Sequence, residues 1–186
     1  MATPTQQKMS LAEFEAFITR PENSDKIFEL INGEIVRVPS NPYVSVIAAR
    51  IITFLGMYLM QNKIPGYMSA EGGGYIVDGQ ILAPDAAYST EFPNSEGFAE
   101  SPPQLAVEVI SNPNSNAEQA DLRRKLTHYL NVNVVVWVVD YLMRTVEVYK
   151  AGQAVQRFGG DDTIPGGDVI PGLQLPVKDI FPDEEA

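Results

Sequence analysis

The sequence predicts one α/β domain spanning residues 1–186. Three observations point to it: a hairpin signature near the start, one long apolar run at helical spacing, and a strand–helix–strand run in the second half. Length and composition agree. A chain of 186 residues suits one sizeable core, and 45% apolar with 20% charged residues is globular rather than disordered usage.

Residues 1–8 are polar and are expected to form a flexible tail. Ser10 and Glu13 then make a capping box, with Leu11, Phe14, Phe17 and Ile18 on one helical face; Arg20-Pro21 should end that helix. Phe28–Ile31 and 34–38 flank Asn32-Gly33, a pair suited to the positive φ of a tight turn, so this stretch reads as a hairpin. Pro42 fits a first helical turn, and Val44, Ile47, Ile51, Phe54, Leu55, Tyr58 and Leu59 recur at helical spacing to about Asn62. This should be the longest helix, packed on the sheet. Short strands follow at Tyr67–Ala70, Tyr75–Val77, Gln80–Leu82 and 85–88, with a bulge or bend at Gly72-Gly73-Gly74 and a turn at Asp78-Gly79. Residues 89–104 form a long loop. Leu105–Ile110 is a strand, Asn116 caps a helix over 117–130, and 134–139 lacks polar alternation, as a strand buried on both faces does. Together these make a βαβ unit. Strands at 145–150 and 153–158 follow, and the rest reads as a meandering tail.

Net charge is −11, and residues 64–122 contain no Lys or Arg. Such a surface repels nucleic acid at long range, so phosphate could approach that stretch only with a divalent cation between. The chain has no cysteine and one histidine, which leaves no disulfide and makes a zinc site improbable. A nucleophile elbow, a phosphate loop and a dinucleotide fingerprint are all missing, so no organic cofactor is expected. The start lacks the apolar core of a signal peptide, and the most apolar run, 44–60, contains Arg50 and is short for a bilayer span. A cytoplasmic protein with no membrane partner is the expectation.

Two carboxylates stand out because they lie in apolar segments, where a charge is costly unless compensated. They are Asp85, after Pro84, and Glu108, within Leu105–Ile110. On that strand Ala106, Glu108 and Ile110 share one face, opposite Leu105, Val107 and Val109. If the two segments are neighbours, the carboxylates can converge on one hard cation, Mg2+ or Mn2+, that polarises a phosphodiester and activates water. The competing reading is two unrelated solvated carboxylates at strand ends.

The order and spacing of several stretches resemble the Uma-type restriction endonuclease family, of the PD-(D/E)XK nuclease superfamily. They are 28–34 (Phe-Glu-Leu-Ile-Asn-Gly-Glu), Pro84-Asp85, 105–111, Asp121-Leu122-Arg123-Arg124-Lys125 with Tyr129, 136–140 around Trp137, and Pro171-Gly172-Leu173. The resemblance runs from about Phe28 to Phe181. It implies a restriction-endonuclease-like core, a mixed central β-sheet flanked by helices, with an N-terminal hairpin and a βαβ unit. It also implies Mg2+- or Mn2+-dependent hydrolysis of DNA, with Asp85 and Glu108 as metal ligands and catalytic residues. The superfamily's strand lysine would stand at Ile110. The Uma-type pattern places a lysine on the following helix instead, and Lys125 matches it. Asp121 shares that helical face, so an Asp121–Lys125 surface pair is the alternative. Glu29 matches the acidic residue of the opening strand and is a weaker third metal ligand; Glu34 competes with it, and Glu71 is weaker still. Further departures are Tyr43 or Val44 where the family has a histidine, and valine before Trp137 where it has a glutamate. His128 reads as a helix-surface residue.

Two functional readings follow. One is a metal-dependent endonuclease acting on DNA. The other is a catalytically degenerate nuclease fold serving as a dimeric binding or scaffold protein. A homodimer is expected in either case, through the apolar N-terminal helix (Leu11, Phe14, Phe17) or the C-terminal tail.

Overall fold

The structure, a computed structural model, describes residues 8–38, 41–93 and 97–182. Most of the expected flexible tail lies outside these residues. Helix α1 (Leu11–Ile18) starts at the expected capping box: the Ser10 hydroxyl accepts the Glu13 N–H, and the Glu13 carboxylate accepts the Ser10 N–H at 2.8 Å. β1 (Phe28–Ile31) and β2 (Glu34–Arg37) form the expected hairpin, its turn made by Asn32 (φ 55°) and Gly33 (φ 80°).

The hairpin does not join the central sheet. It pairs with β4 (Tyr75–Val77) and β5 (Gln80–Leu82) in a four-stranded sheet of order β2-β1-β5-β4. The central sheet has six strands, in the order β10 (Gln156–Gly159), β9 (Thr145–Tyr149), β8 (Val135–Asp140), β7 (Leu105–Ile110), β6 (Ala86–Ser89), β3 (Tyr67–Ala70). It is mixed: β7 and β8 run parallel, and the other pairs antiparallel. The chain leaves the central sheet for the smaller one at Gly72-Gly73-Gly74, between β3 and β4. A Cβ at Gly74 would sit 2.5 Å from the Phe98 ring, so that crossing needs a glycine.

The two faces of the central sheet have different cover. Helix α2 (Pro42–Asn62) lays Ile47, Ile51 and Leu55 against Leu105, Val107 and Trp137. At 21 residues α2 is long and apolar enough to cross a membrane, so the shortness inferred from sequence does not hold; its apolar stripe packs on the sheet. On the opposite face, α3 (Asn116–Asn131) and the smaller sheet enclose Ala106, Val136 and Val138 with Leu126, Tyr129, Ile31 and Val77. Helix α1 covers the far side of the smaller sheet, with Phe14 against Leu30 and Ile81.

Four expectations change. The cap of α3 is Ser115, not Asn116, because its hydroxyl reaches the Glu118 N–H. β6 begins at Ala86, so Asp85 stands just before the strand and its side chain turns to a backbone N–H of β7. The C-terminal stretch is core, not a meander: β11 (Thr163–Pro165), β12 (Gln174–Pro176) and α4 (Val177–Ile180) bury Ile164, Ile170, Leu173, Leu175, Val177, Ile180 and Phe181. Irregular spacing between prolines and glycines hid that pattern. The apolar faces offered for dimer contact are therefore used within the chain; Phe14 is fully buried and Phe17 packs edge-on to Phe28.

Candidate active site

Alternation along β7 settles the direction of Glu108. Leu105, Val107 and Val109 join the core on the α2 side, and Ala106 lies on the α3 side, so Glu108 points beneath α3. There it is 7% exposed and meets two residues one helical turn apart. The Lys125 ammonium donates to Glu108 Oε2 at 2.6 Å, and the Tyr129 hydroxyl donates to Oε1 at 2.9 Å.

Lys125 is also 2.9 Å from Glu29 Oε1. Glu29, at 3% exposure, comes from β1 of the smaller sheet and accepts the Ala83 N–H at 2.8 Å. One ammonium thus joins the two sheets through a carboxylate of each. Asp85 completes the group: Ala86 is in register with Val107 of β7, and Asp85 Oδ2 accepts the Val109 N–H at 2.6 Å. Sequence-distant Glu29, Asp85, Glu108 and Lys125 all line one cleft of about 310 Å³.

The alternatives left open by the sequence resolve in space. Asp121 pairs with Arg124, not Lys125. Glu34 faces outward, 2.6 Å from Arg124, so Glu29 is the inward acid. Glu71 does not line the cleft, although its charge raises the Asp85 pKa. His128 is not a free surface residue: its ring nitrogens lie 2.9 Å from Asp78 Oδ2 and 3.1 Å from Asn32 Oδ1, at the tips of both turns of the smaller sheet. Ile110 lines the cleft where a strand lysine was expected. Arg37, on the cleft edge, escaped the sequence reading. The Asn32-Gly33 turn sets Glu29 opposite Val36 and Phe28 opposite Arg37, so strand alternation puts Arg37 on the face away from the buried acid.

The electrostatics are those of crowded acids around one cation. Burial pushes Asp85 up to about 6, against the Val109 N–H and Lys125, which pull it down. Burial also pushes Glu108 up to about 8; Lys125 opposes the rise, and Glu29 and Asp85 add to it. Burial works to lower the Lys125 pKa, but Glu108 and Glu29 raise it on balance, so the amine stays protonated. Burial and the Glu108 charge raise Tyr129 well above the ordinary phenol range, so it remains a donor.

The donor set suits a hard divalent cation: Asp85 and Glu108 offer carboxylate oxygens, and three acids face one ammonium. Among the described residues, no three acidic or histidine side chains are grouped closely enough to hold an ion by themselves. Glu29, the weaker third candidate, bonds to Lys125 and to the Ala83 N–H.

A family profile described as "Uma2: Putative restriction endonuclease" matches residues 11–178. The chain belongs to the Uma2 family. Among solved structures, it is similar to one titled as a putative nuclease belonging to DUF820 from Anabaena variabilis ATCC 29413. That match has 22% identity, a TM-score of 0.77, and covers 93% of this chain and 97% of the other. At that identity the likeness establishes the shared fold. No curated protein matches the sequence. Membership in Uma2 accords with the mixed sheet flanked by helices and with a nuclease-type core.

Proposed function

We propose that the chain is a metal-dependent endonuclease hydrolysing phosphodiester bonds in DNA. The observation that carries this reading is the Lys125 ammonium, 2.6 Å from Glu108 and beside Asp85, in a cleft where strand position 110 is apolar. A helix lysine there supplies the cation that the strand lacks. This favours an active site over the degenerate scaffold, for which a buried charge cluster has no use and carries a desolvation penalty.

Asp85 and Glu108 would hold Mg2+ or Mn2+. The ion supplies Lewis-acid polarisation of the phosphoryl group and a lowered pKa for water. The protein's own groups divide the remaining work. Lys125, held protonated by two acids, is unsuited to general-base duty and suited to orienting water and stabilising developing phosphoryl charge. Tyr129 fixes the Glu108 carboxylate, and the Val109 N–H fixes Asp85. Glu29 holds the ammonium in place.

The test is calorimetric titration with Mn2+ alongside plasmid cleavage. The unaltered protein should bind the ion and cut; Asp85→Asn should do neither. Ion binding and cutting that persist in Asp85→Asn would sink the assignment. We also propose a homodimer, which light scattering checks; a monomer removes it.

A further inference from the structure

Lys125 bridges two acids, and the proposed ion needs only one of them. Both oxygens of Glu108 are engaged: Oε2 accepts the Lys125 ammonium at 2.6 Å, and Oε1 accepts the Tyr129 hydroxyl at 2.9 Å. A divalent cation on Glu108 would therefore stand beside an ammonium on the same carboxylate. Like charges repel strongly in a buried site, where water and salt screen them little. The Tyr129 hydroxyl is neutral and can stay; the ammonium is the group in conflict. A second acid lies within its reach, Glu29 Oε1 at 2.9 Å. Other carboxylates lining the cleft are taken, Asp121 by Arg124 and Glu118 by the Ser111 and Asn112 N–H groups.

We infer that Glu29 is a positioning residue that receives Lys125: the ion-free protein shares the ammonium between Glu29 and Glu108, and an ion at Asp85 and Glu108 leaves it on Glu29 alone. The inference rests on the nuclease reading and gives that site a built-in counter-ion switch. Three physical points support it. The first is charge. Glu29 with Lys125 is a neutral pair, and Asp85 with Glu108 matches a divalent ion, so the buried charges balance in both halves. The second is anchorage. Glu29 Oε1, the oxygen that meets the ammonium, also accepts the Ala83 N–H at 2.8 Å, so the backbone fixes the receiving atom. The third is reach. Nζ already lies within hydrogen-bond distance of both acids, and a lysine stem is flexible, so the exchange needs no movement of α3.

A crystal structure of the Mn2+ complex, with calorimetric Mn2+ titration of variants, tests this. In the complex of the unaltered protein, Lys125 Nζ should stay within about 3.2 Å of Glu29 and lie beyond about 3.5 Å from both Glu108 oxygens. Glu29→Gln removes the receiving charge but keeps an oxygen for the Ala83 N–H. It should weaken Mn2+ binding roughly 10–100-fold, the usual cost of losing a group that orients a metal site from outside. Glu29→Asp, shorter but charged, should restore part of the affinity that the full-length neutral side chain does not. An ammonium still on Glu108 in the complex, Glu29 itself ligating the ion, or unchanged affinity in Glu29→Gln overturns the inference. If Glu29→Gln fails to fold, the crystal structure of the unaltered protein decides alone. Mn2+ binding and plasmid cutting with Lys125 unmoved reject the switch and keep the nuclease. Neither binding nor cutting by the unaltered protein rejects both.

Discussion

At the scale of residues, the proposed site turns on a charge relocated from strand to helix. The apolar Ile110 lies on the strand, and the cation arrives from α3 as Lys125. Replacing Lys125 with Met should lower cleavage by roughly 10²–10³-fold, the usual loss for one preorganised electrostatic group. It should also destabilise the fold by about 3–5 kcal/mol, since two buried carboxylates lose their partner. Adding Ile110→Lys to Lys125→Met should recover part of the activity; plasmid nicking assays would decide, and a double variant as inactive as the single one removes the relocation idea. The pKa directions give a second test. Asp85 and Glu108 keep protons in the folded state, up to about 6 and about 8, that the unfolded chain releases at ordinary carboxylate values. Their contribution to stability is fully present below those ordinary values and is lost as pH rises through about 6 and about 8. The ion-free protein should therefore melt at a lower temperature at pH 8 than at pH 5, and Glu108→Gln should flatten the difference. Mn2+ affinity should move the opposite way, weakening as pH falls from 8 to 6. A melting temperature that rises over that interval would contradict both shifts.

At the scale of elements, α3 is the part that assembles the site. Its first turn is tied to β7 by Glu118, whose carboxylate accepts the Ser111 and Asn112 N–H groups at 2.5 and 2.9 Å. Its last turn is tied to the smaller sheet by His128 and Asn131, which reach Asp78, and by His128 to Asn32. Lys125 lies between these two ties, so its position between the sheets depends on both. Removing the histidine's part of the second tie with His128→Ala should cost about 1–2 kcal/mol for the lost hydrogen bonds. It should also speed amide exchange at both turns, Asn32-Gly33 and Asp78-Gly79. Unchanged exchange there would mean that the histidine holds nothing. The helix itself was legible from its spacing, and so was the common face of Lys125 and Tyr129. Its ties were not, because each joins residues that are far apart in sequence or lie in turns with no periodic pattern.

At the scale of the whole molecule, two sheets enclose the site, and the C-terminal segment closes the opposite face. Ile170, Leu173, Leu175, Val177, Ile180 and Phe181 are each no more than 3% exposed. Burying one such side chain is worth about 1.5–3 kcal/mol, and a domain of this size has about 5–15 kcal/mol in total. Ending the chain after Gly166 should therefore abolish cooperative unfolding, seen by circular dichroism on heating. Arg50 reinforces this closure, its guanidinium donating to the Asp179 carbonyl at 2.8 and 3.0 Å.

By itself the sequence determined the α/β class, the hairpin, the long helix, the βαβ unit and the strand face that Glu108 shares with Ala106 and Ile110. Each follows from local periodicity, turn chemistry or strand alternation, which neighbouring residues carry. Only the tertiary structure decided that the hairpin builds a second sheet, that Glu29 rather than Glu34 turns inward, and that Ile110 lines the same cleft as Lys125. It also decided that Lys125 leaves Asp121 for Glu29 and Glu108. Those outcomes depend on which sheet packs over which helix face, and no stretch of neighbouring residues records that choice.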